Sequence, residues 1–203
     1  MKRLLGLLLC AVLFALPYTA AAAESSPDAL VKSTAEEVLS VIRTTKDKAA
    51  LRAAAEQKVL PHFDFRAMTQ LAVGKHWRQA TPAQQKALID AFRTLLVNTY
   101  TASLNVASFS GKETVEVKPL TVRPGENDVI VRTVVRTASR PPIPVDYRMT
   151  RGPEGWKVYD VIVENLSLVT NYRGSFDSEI GRSGIDGLVK ALQSKNQELA
   201  KAG

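Results

Sequence analysis

The sequence predicts an α+β domain in which several helices pack on a twisted four-stranded antiparallel sheet. Apolar residues recur at helical spacing as far as Gly111, alternate at a period of two from Val115 to Val163, and return to helical spacing over roughly the last 35 residues. Three Pro- or Gly-bearing turns, Pro124-Gly125-Glu126-Asn127, Arg140-Pro141-Pro142 and Gly152-Pro153-Glu154-Gly155, cut the alternating block into four strands. The last of these carries apolar side chains on both faces: simple alternation puts Trp156, Val158 and Ile162 on one side and Tyr159, Val161 and Val163 on the other. Such a strand must be covered twice. The run continues without Gly or Pro into Leu166, Leu168 and Val169, which predicts one continuous apolar element.

Each element has a local reason. Lys2 and Arg3 precede the apolar run Leu4 to Leu16, Pro17 breaks it, and Ala20 to Ala23 are small, so residues 1–23 are expected to be a cleavable signal peptide and 24–203 a single domain. Cys10 lies inside this leader, and no cysteine follows it, so the mature chain forms no disulfide and offers no thiol. Ser26-Pro27-Asp28 opens a helix with Leu30, Val31, Val38, Leu39 and Ile42 along one stripe, expected to run to about Thr45. An Ala-rich helix is expected from Asp47 to Leu60, stopped by Pro61, then a short one ending at Gly74. Thr81, Pro82 and Gln84 form a capping box ahead of a long helix whose stripe is Leu88, Phe92, Leu95, Leu96, Tyr100 and Leu104, with Lys86, Asp90, Arg93 and Asn98 turned away. The strands follow at Val115 and Val117; Val129, Val131, Thr133 and Val135; Val145, Tyr147 and Met149; and Trp156 onward. The closing helix carries Leu188, Val189 and Leu192.

Charge and motif content narrow the function. The chain has 27 Lys and Arg against 20 Asp and Glu, and the leader takes two of the bases with it. The remaining excess of about +5 is scattered among acids, which disfavours nucleic acid and suits an anionic lipid or an acidic partner surface. G-x-S-x-G, H-E-x-x-H, G-x-G-x-x-G and the phosphate-binding P-loop are all absent. Two carboxylate sets could support acid–base chemistry, His62 with Asp64 and Asp160 with Glu164, which leaves a small hydrolase as a rival reading. Against it, no nucleophile accompanies His62, and basic residues such as Arg132, Arg136 and Arg148 are available to pair with the strand acids. The apolar stripes contain enough surface to line a cavity or to close a solid core, and periodicity does not separate the two.

Two blocks of residues resemble the MlaC family, also called toluene-tolerance proteins. The first is Phe63-Asp64-Phe65 with Met68, Leu71, Gly74, Trp77 and Arg78, then Thr81-Pro82, Gln84-Gln85, Phe92-Arg93, Leu95-Leu96 and Thr99-Tyr100. The second is Trp156-Lys157-Val158-Tyr159-Asp160-Val161, then Ser167-Leu168-Val169, Asn171-Tyr172-Arg173, Phe176 and Ile180. Val73 departs from the pattern, where a Leu is expected before Gly74.

The resemblance implies a sheet and helices enclosing an apolar cavity, and a soluble periplasmic carrier of phospholipid in a Gram-negative bacterium; a monomer is expected. It further implies exchange of lipid between an outer-membrane lipoprotein complex and an inner-membrane ABC transporter complex, in maintenance of outer-membrane lipid asymmetry, with no catalysis and no cofactor. On that reading Phe92, Leu96, Tyr100, Val129, Val131, Val145, Tyr147, Val158, Val161 and Leu168 are the expected lipid-binding residues. Arg148, Lys157 and Arg173 are expected at the rim to meet the head group.

Overall fold

The computed structural model describes residues 25–45, 47–103, 112–138 and 140–202. The predicted leader, with Cys10, and Leu104 at the end of the long stripe lie outside the described residues.

Helix α1 (Pro27–Thr44) begins at the predicted proline, and α2 (Lys48–Ala54) is capped by Asp47, whose carboxylate accepts from the amides of Ala49 and Ala50. The expected continuation to Leu60 changes pitch instead: Ala55–Val59 is a π turn and Leu60–His62 a 3₁₀ turn. Pro61 supplies the reason, because its ring collides with the carbonyl four residues earlier and it has no amide to extend an α ladder. Helix α3 (Phe65–Val73) starts where the Asp64 Oδ1 accepts from Ala67 N at 2.8 Å, and ends at Gly74, whose φ of 62° a side chain would strain. Helix α4 (Pro82–Ser103) has the capping box read from the sequence: Gln84 N donates to Thr81 Oγ1 at 3.2 Å, and Thr81 N to Gln84 Oε1 at 3.0 Å. Helix α5 (Arg173–Ala202) is broken once, at Gly184, where φ is 71° and ψ is −178°.

Among the described residues the sheet has five strands, not four. β1 (Thr114–Val117), β2 (Asp128–Arg136), β3 (Ile143–Gly152), β4 (Gly155–Val163) and β5 (Leu166–Ser167) form an antiparallel meander in chain order. The fifth exists because the supposedly continuous run from Val163 to Leu168 folds back at Glu164 and Asn165, which have φ of 49° and 68°. Two successive left-handed residues make the tight hairpin loop that usually requires glycine; Asn165 is the one residue there that tolerates it.

A second departure concerns β4. Arg148 stands opposite Asp160 but Met149 stands opposite Val158, so Tyr159 is an extra residue bulged out of the ladder. Val158 therefore shares a face with Val161 and Val163, which simple alternation had set apart. Tyr159 turns the opposite way, into the helices, and its hydroxyl donates to Asp128 Oδ2 at 2.7 Å. Burial, with help from the Asp128 bond, pushes that hydroxyl up to about 12, while Arg148 over the ring opposes the shift.

Two packed regions result. The larger joins α3, α4 and α5 around Phe92, which is fully buried and meets Tyr172 and Phe176 edge-on at 5.3 and 5.2 Å. The smaller lies under α1, where Val31 covers Val129, Val131, Met149, Trp156 and Val158 on the inner face of the sheet. Between the strand ends, the buried Asp160 accepts from Ser167 Oγ at 2.8 Å on both oxygens, and the same hydroxyl accepts from Thr170 N at 2.9 Å. One hydroxyl thus ties β5 to β4 and starts the turn into α5. Ser167→Ala leaves a buried carboxylate short of its donor and is expected to lower stability by about 1–3 kcal/mol, read as a shift of the urea midpoint with unchanged slope.

Candidate functional site

A cavity of about 510 Å³ separates α1, α2 and the π turn from the sheet. Its floor is the inner sheet face at Val115, Val135, Tyr147, Met149, Val158 and Val161; Phe65 and Met68 of α3, and Leu96, Val97 and Tyr100 of α4, close one side. Leu168, just past β5, completes that side. The segment before α3 is fastened to β4 by Asp64 N donating to Val158 O at 2.8 Å, which sets Phe63 and His62 at the edge of the space.

Burial distinguishes this region from the packed ones. Val38, Leu39, Val41 and Ile42 of α1, Leu51, Val59 and Leu60 of the following segment, and Val135, Tyr147 and Val161 of the sheet all point inward yet remain only half-buried. Oily side chains on facing elements ordinarily close on one another. Ala35, Ala54 and Ala55 leave room between the walls, since each gives the wall a methyl where a longer chain would fill the space. Among the described residues no Asp or Glu lines the cavity, and its basic groups are Lys58 and His62 alone. Tyr100 donates its hydroxyl to Leu168 O at 3.3 Å, and burial raises its pKa as it does that of Tyr147. Such a space favours hydrocarbon and disfavours water, which needs two to four polar partners to settle.

Of the ten residues expected to bind lipid, Leu96, Tyr100, Tyr147, Val158, Val161 and Leu168 stand on the cavity wall, and four stand elsewhere. Phe92 lies one turn too early on α4 and faces the aromatic rings of Tyr172 and Phe176. Val129 and Val131 are sealed in the packed region under Val31, and Val145 is buried beside Thr133, whose hydroxyl donates to its carbonyl at 2.7 Å. The rim residues also divide. Arg148 sits 5.0 Å above the Tyr159 ring on the other side of the sheet, and Arg173 grips Leu71 O at 3.2 and 2.7 Å where α5 begins. Lys157 does not line the cavity either, but it donates to Pro61 O at 2.8 Å, beside the cavity-lining Leu60 and His62.

The residues that sequence reasoning missed are those of α1, α2 and the π turn, which form the whole opposite wall. Their signal was present: the α1 stripe and the Ala-rich face that follows it are apolar, and nothing else in the sequence needed them as cover. The acid–base sets come apart. Asp64 is occupied as the α3 cap, Asp160 is sealed with Ser167, and Glu164 is exposed on the hairpin.

The MlaC protein family model matches residues 32–194, which includes both walls of the cavity. The chain belongs to the MlaC family. It is 22% identical over 182 residues to an intermembrane phospholipid transport system binding protein MlaC of Haemophilus influenzae, covering 85% of this chain and 83% of that one. Its fold is similar to that of a phospholipid-binding protein from Ralstonia solanacearum solved in complex with a phospholipid. That similarity has a TM-score of 0.76 and 36% identity, over 87% of this chain and 99% of the other. The MlaC fold thus accounts for the α+β architecture.

Packed and hollow positions should respond differently to truncation. Phe92→Ala is expected to cost about 3–5 kcal/mol in urea unfolding, whereas Val161→Ala, already facing open space, should cost about 1 kcal/mol or less.

Proposed function

We propose that this MlaC-family chain is a phospholipid carrier whose cavity holds acyl chains while the head group stays at the mouth. The observation that carries the reading is the wall of half-buried aliphatic side chains around open space, in a chain whose solved relative was found with a phospholipid. Each methylene moved from water to hydrocarbon is worth about 0.8 kcal/mol, so an acyl chain of ordinary length costs roughly 10 kcal/mol to expose. A wall that is apolar apart from Lys58 and His62 replaces that stabilisation without greatly exceeding it. Lipid can then be taken up and surrendered.

The wall residues Leu96, Tyr100, Tyr147, Val158, Val161 and Leu168 are the acyl contacts in this reading, joined by the inward faces of α1 and the π turn. The carrier acts in the periplasm after loss of its leader, passing phospholipid between an outer-membrane lipoprotein complex and an inner-membrane ABC transporter complex. The exchange serves outer-membrane lipid asymmetry. No bond changes in such a cycle, so neither a catalytic group nor a cofactor enters it.

Native mass spectrometry of the mature protein, purified from bacteria without strong detergent, tests the reading. A mass excess equal to a two-chain phospholipid is expected, and a bare polypeptide mass under every mild condition overturns it. Tyr147→Glu places a charge on the cavity floor and should abolish the excess while the protein still melts cooperatively.

A further inference from the structure

We propose that Lys58, His62 and Lys157 form the seat of the phosphate of the bound lipid, an inference that rests on the carrier reading above. Lys58 and His62, the two basic groups on the cavity wall, come from a single segment of the chain, four residues apart. Lys157 reaches the same segment from β4, where its ammonium donates to Pro61 O at 2.8 Å and pairs with the exposed Glu154 at 3.3 Å. Three basic groups from two elements therefore gather around one segment, two of them on the wall of an otherwise hydrocarbon space. Lys58 also marks that end as the mouth, because it lines the cavity while exposing 45% of its side chain.

The groups around His62 define what the seat lacks. Lys157 and Glu37 lie within electrostatic reach of it, and Glu37 of α1 bridges to Lys58 at 2.8 Å. Among the described residues none hydrogen-bonds the His62 ring. Burial holds its pKa below the ordinary histidine value, the Lys157 ammonium pushes the same way, and Glu37 opposes both. An anion arriving between them supplies what is missing: it accepts from Lys58 in place of the exposed Glu37, accepts from Lys157 in place of the exposed Glu154 without displacing Pro61, and stabilises a proton on His62. A phosphodiester fits by charge and by number of acceptor oxygens. It also fits by position, since chains filling the cavity leave the phosphate at the mouth. Head groups beyond the phosphate project into water, so the seat recognises the phosphate common to them and not the alcohol attached to it.

The test compares two ligands with identical chains, dioleoylphosphatidylglycerol and dioleoylglycerol, on the delipidated mature protein. The natural chain is expected to bind the phospholipid about tenfold tighter, the worth of one charge-assisted hydrogen bond. In the double variant Lys58→Gln, His62→Asn the ratio of the two affinities should fall towards one. The His62 ring, followed by NMR, should titrate at higher pH when the phospholipid is loaded and not when dioleoylglycerol is. Equal affinities in the natural chain, or an unchanged ratio in the variant, overturn the seat and leave the carrier reading standing. Millimolar inorganic phosphate raising the His62 titration in lipid-free protein as far as the phospholipid does would assign the seat to free phosphate and overturn it as well. Failure of both lipids to bind defeats the carrier reading itself.

Discussion

A hollow walled with hydrocarbon persists only where something outside it keeps the walls from meeting, because every square ångström brought together gains about 25 cal/mol. Here the restraint comes from packing on either side. Around Phe92 the helices α3, α4 and α5 pack on one another through buried side chains, and Leu96 and Tyr100 border the hollow one and two turns further along α4. Under Val31 the inner sheet face is closed in the same way. Helix α1 lies across the gap fixed at both ends, by the buried Pro27 and Val31 at its start and by Arg43 donating to Glu113 O at 3.0 Å near its finish. Its middle residues are held at a distance by those anchors.

The β4 bulge lets one strand serve both regions. Without the extra residue, Val158 and Val161 would face opposite sides and one of them would leave the cavity; with it, both line the floor while Tyr159 reaches back to the helices. The two-sided apolar character of this strand was legible in the sequence, but its division between faces was not. A bulge changes the parity of alternation without changing composition. The same limit hid β5: Glu164 and Asn165 adopt left-handed conformations with neither Gly nor Pro to announce them.

Other features were legible because a single residue type decides them. The capping box at Thr81 and Gln84, the stop at Gly74 and the alternation of β2 and β3 each follow from local chemistry and occur where the sequence places them. The cavity wall was legible only in part. Phe92 and Leu96 lie on one stripe, four residues apart, and both belong to the buried helical cluster, yet only Leu96 also borders the cavity. That difference depends on where the neighbouring helices cross, which no periodicity records. The opposite wall went unread for a simpler reason: half-covered aliphatic helices look in sequence like helices with an ordinary core to cover.

The π turn at Ala55–Val59 has a geometric meaning of its own. A single wide turn inside a helix is equivalent to one inserted residue, and each residue of a helix advances the side-chain direction by roughly 100°. The insertion swings Val59, Leu60 and His62 round relative to Leu51 and Ala54, so that the stripe before it and the residues after it both look inward despite the proline between them. Shortening this loop of backbone by one residue would restore a regular spiral and rotate the oily end of the segment out to solvent. The extra residue is thus a phase shift, and the shape of the pocket is written in it as much as in the side chains.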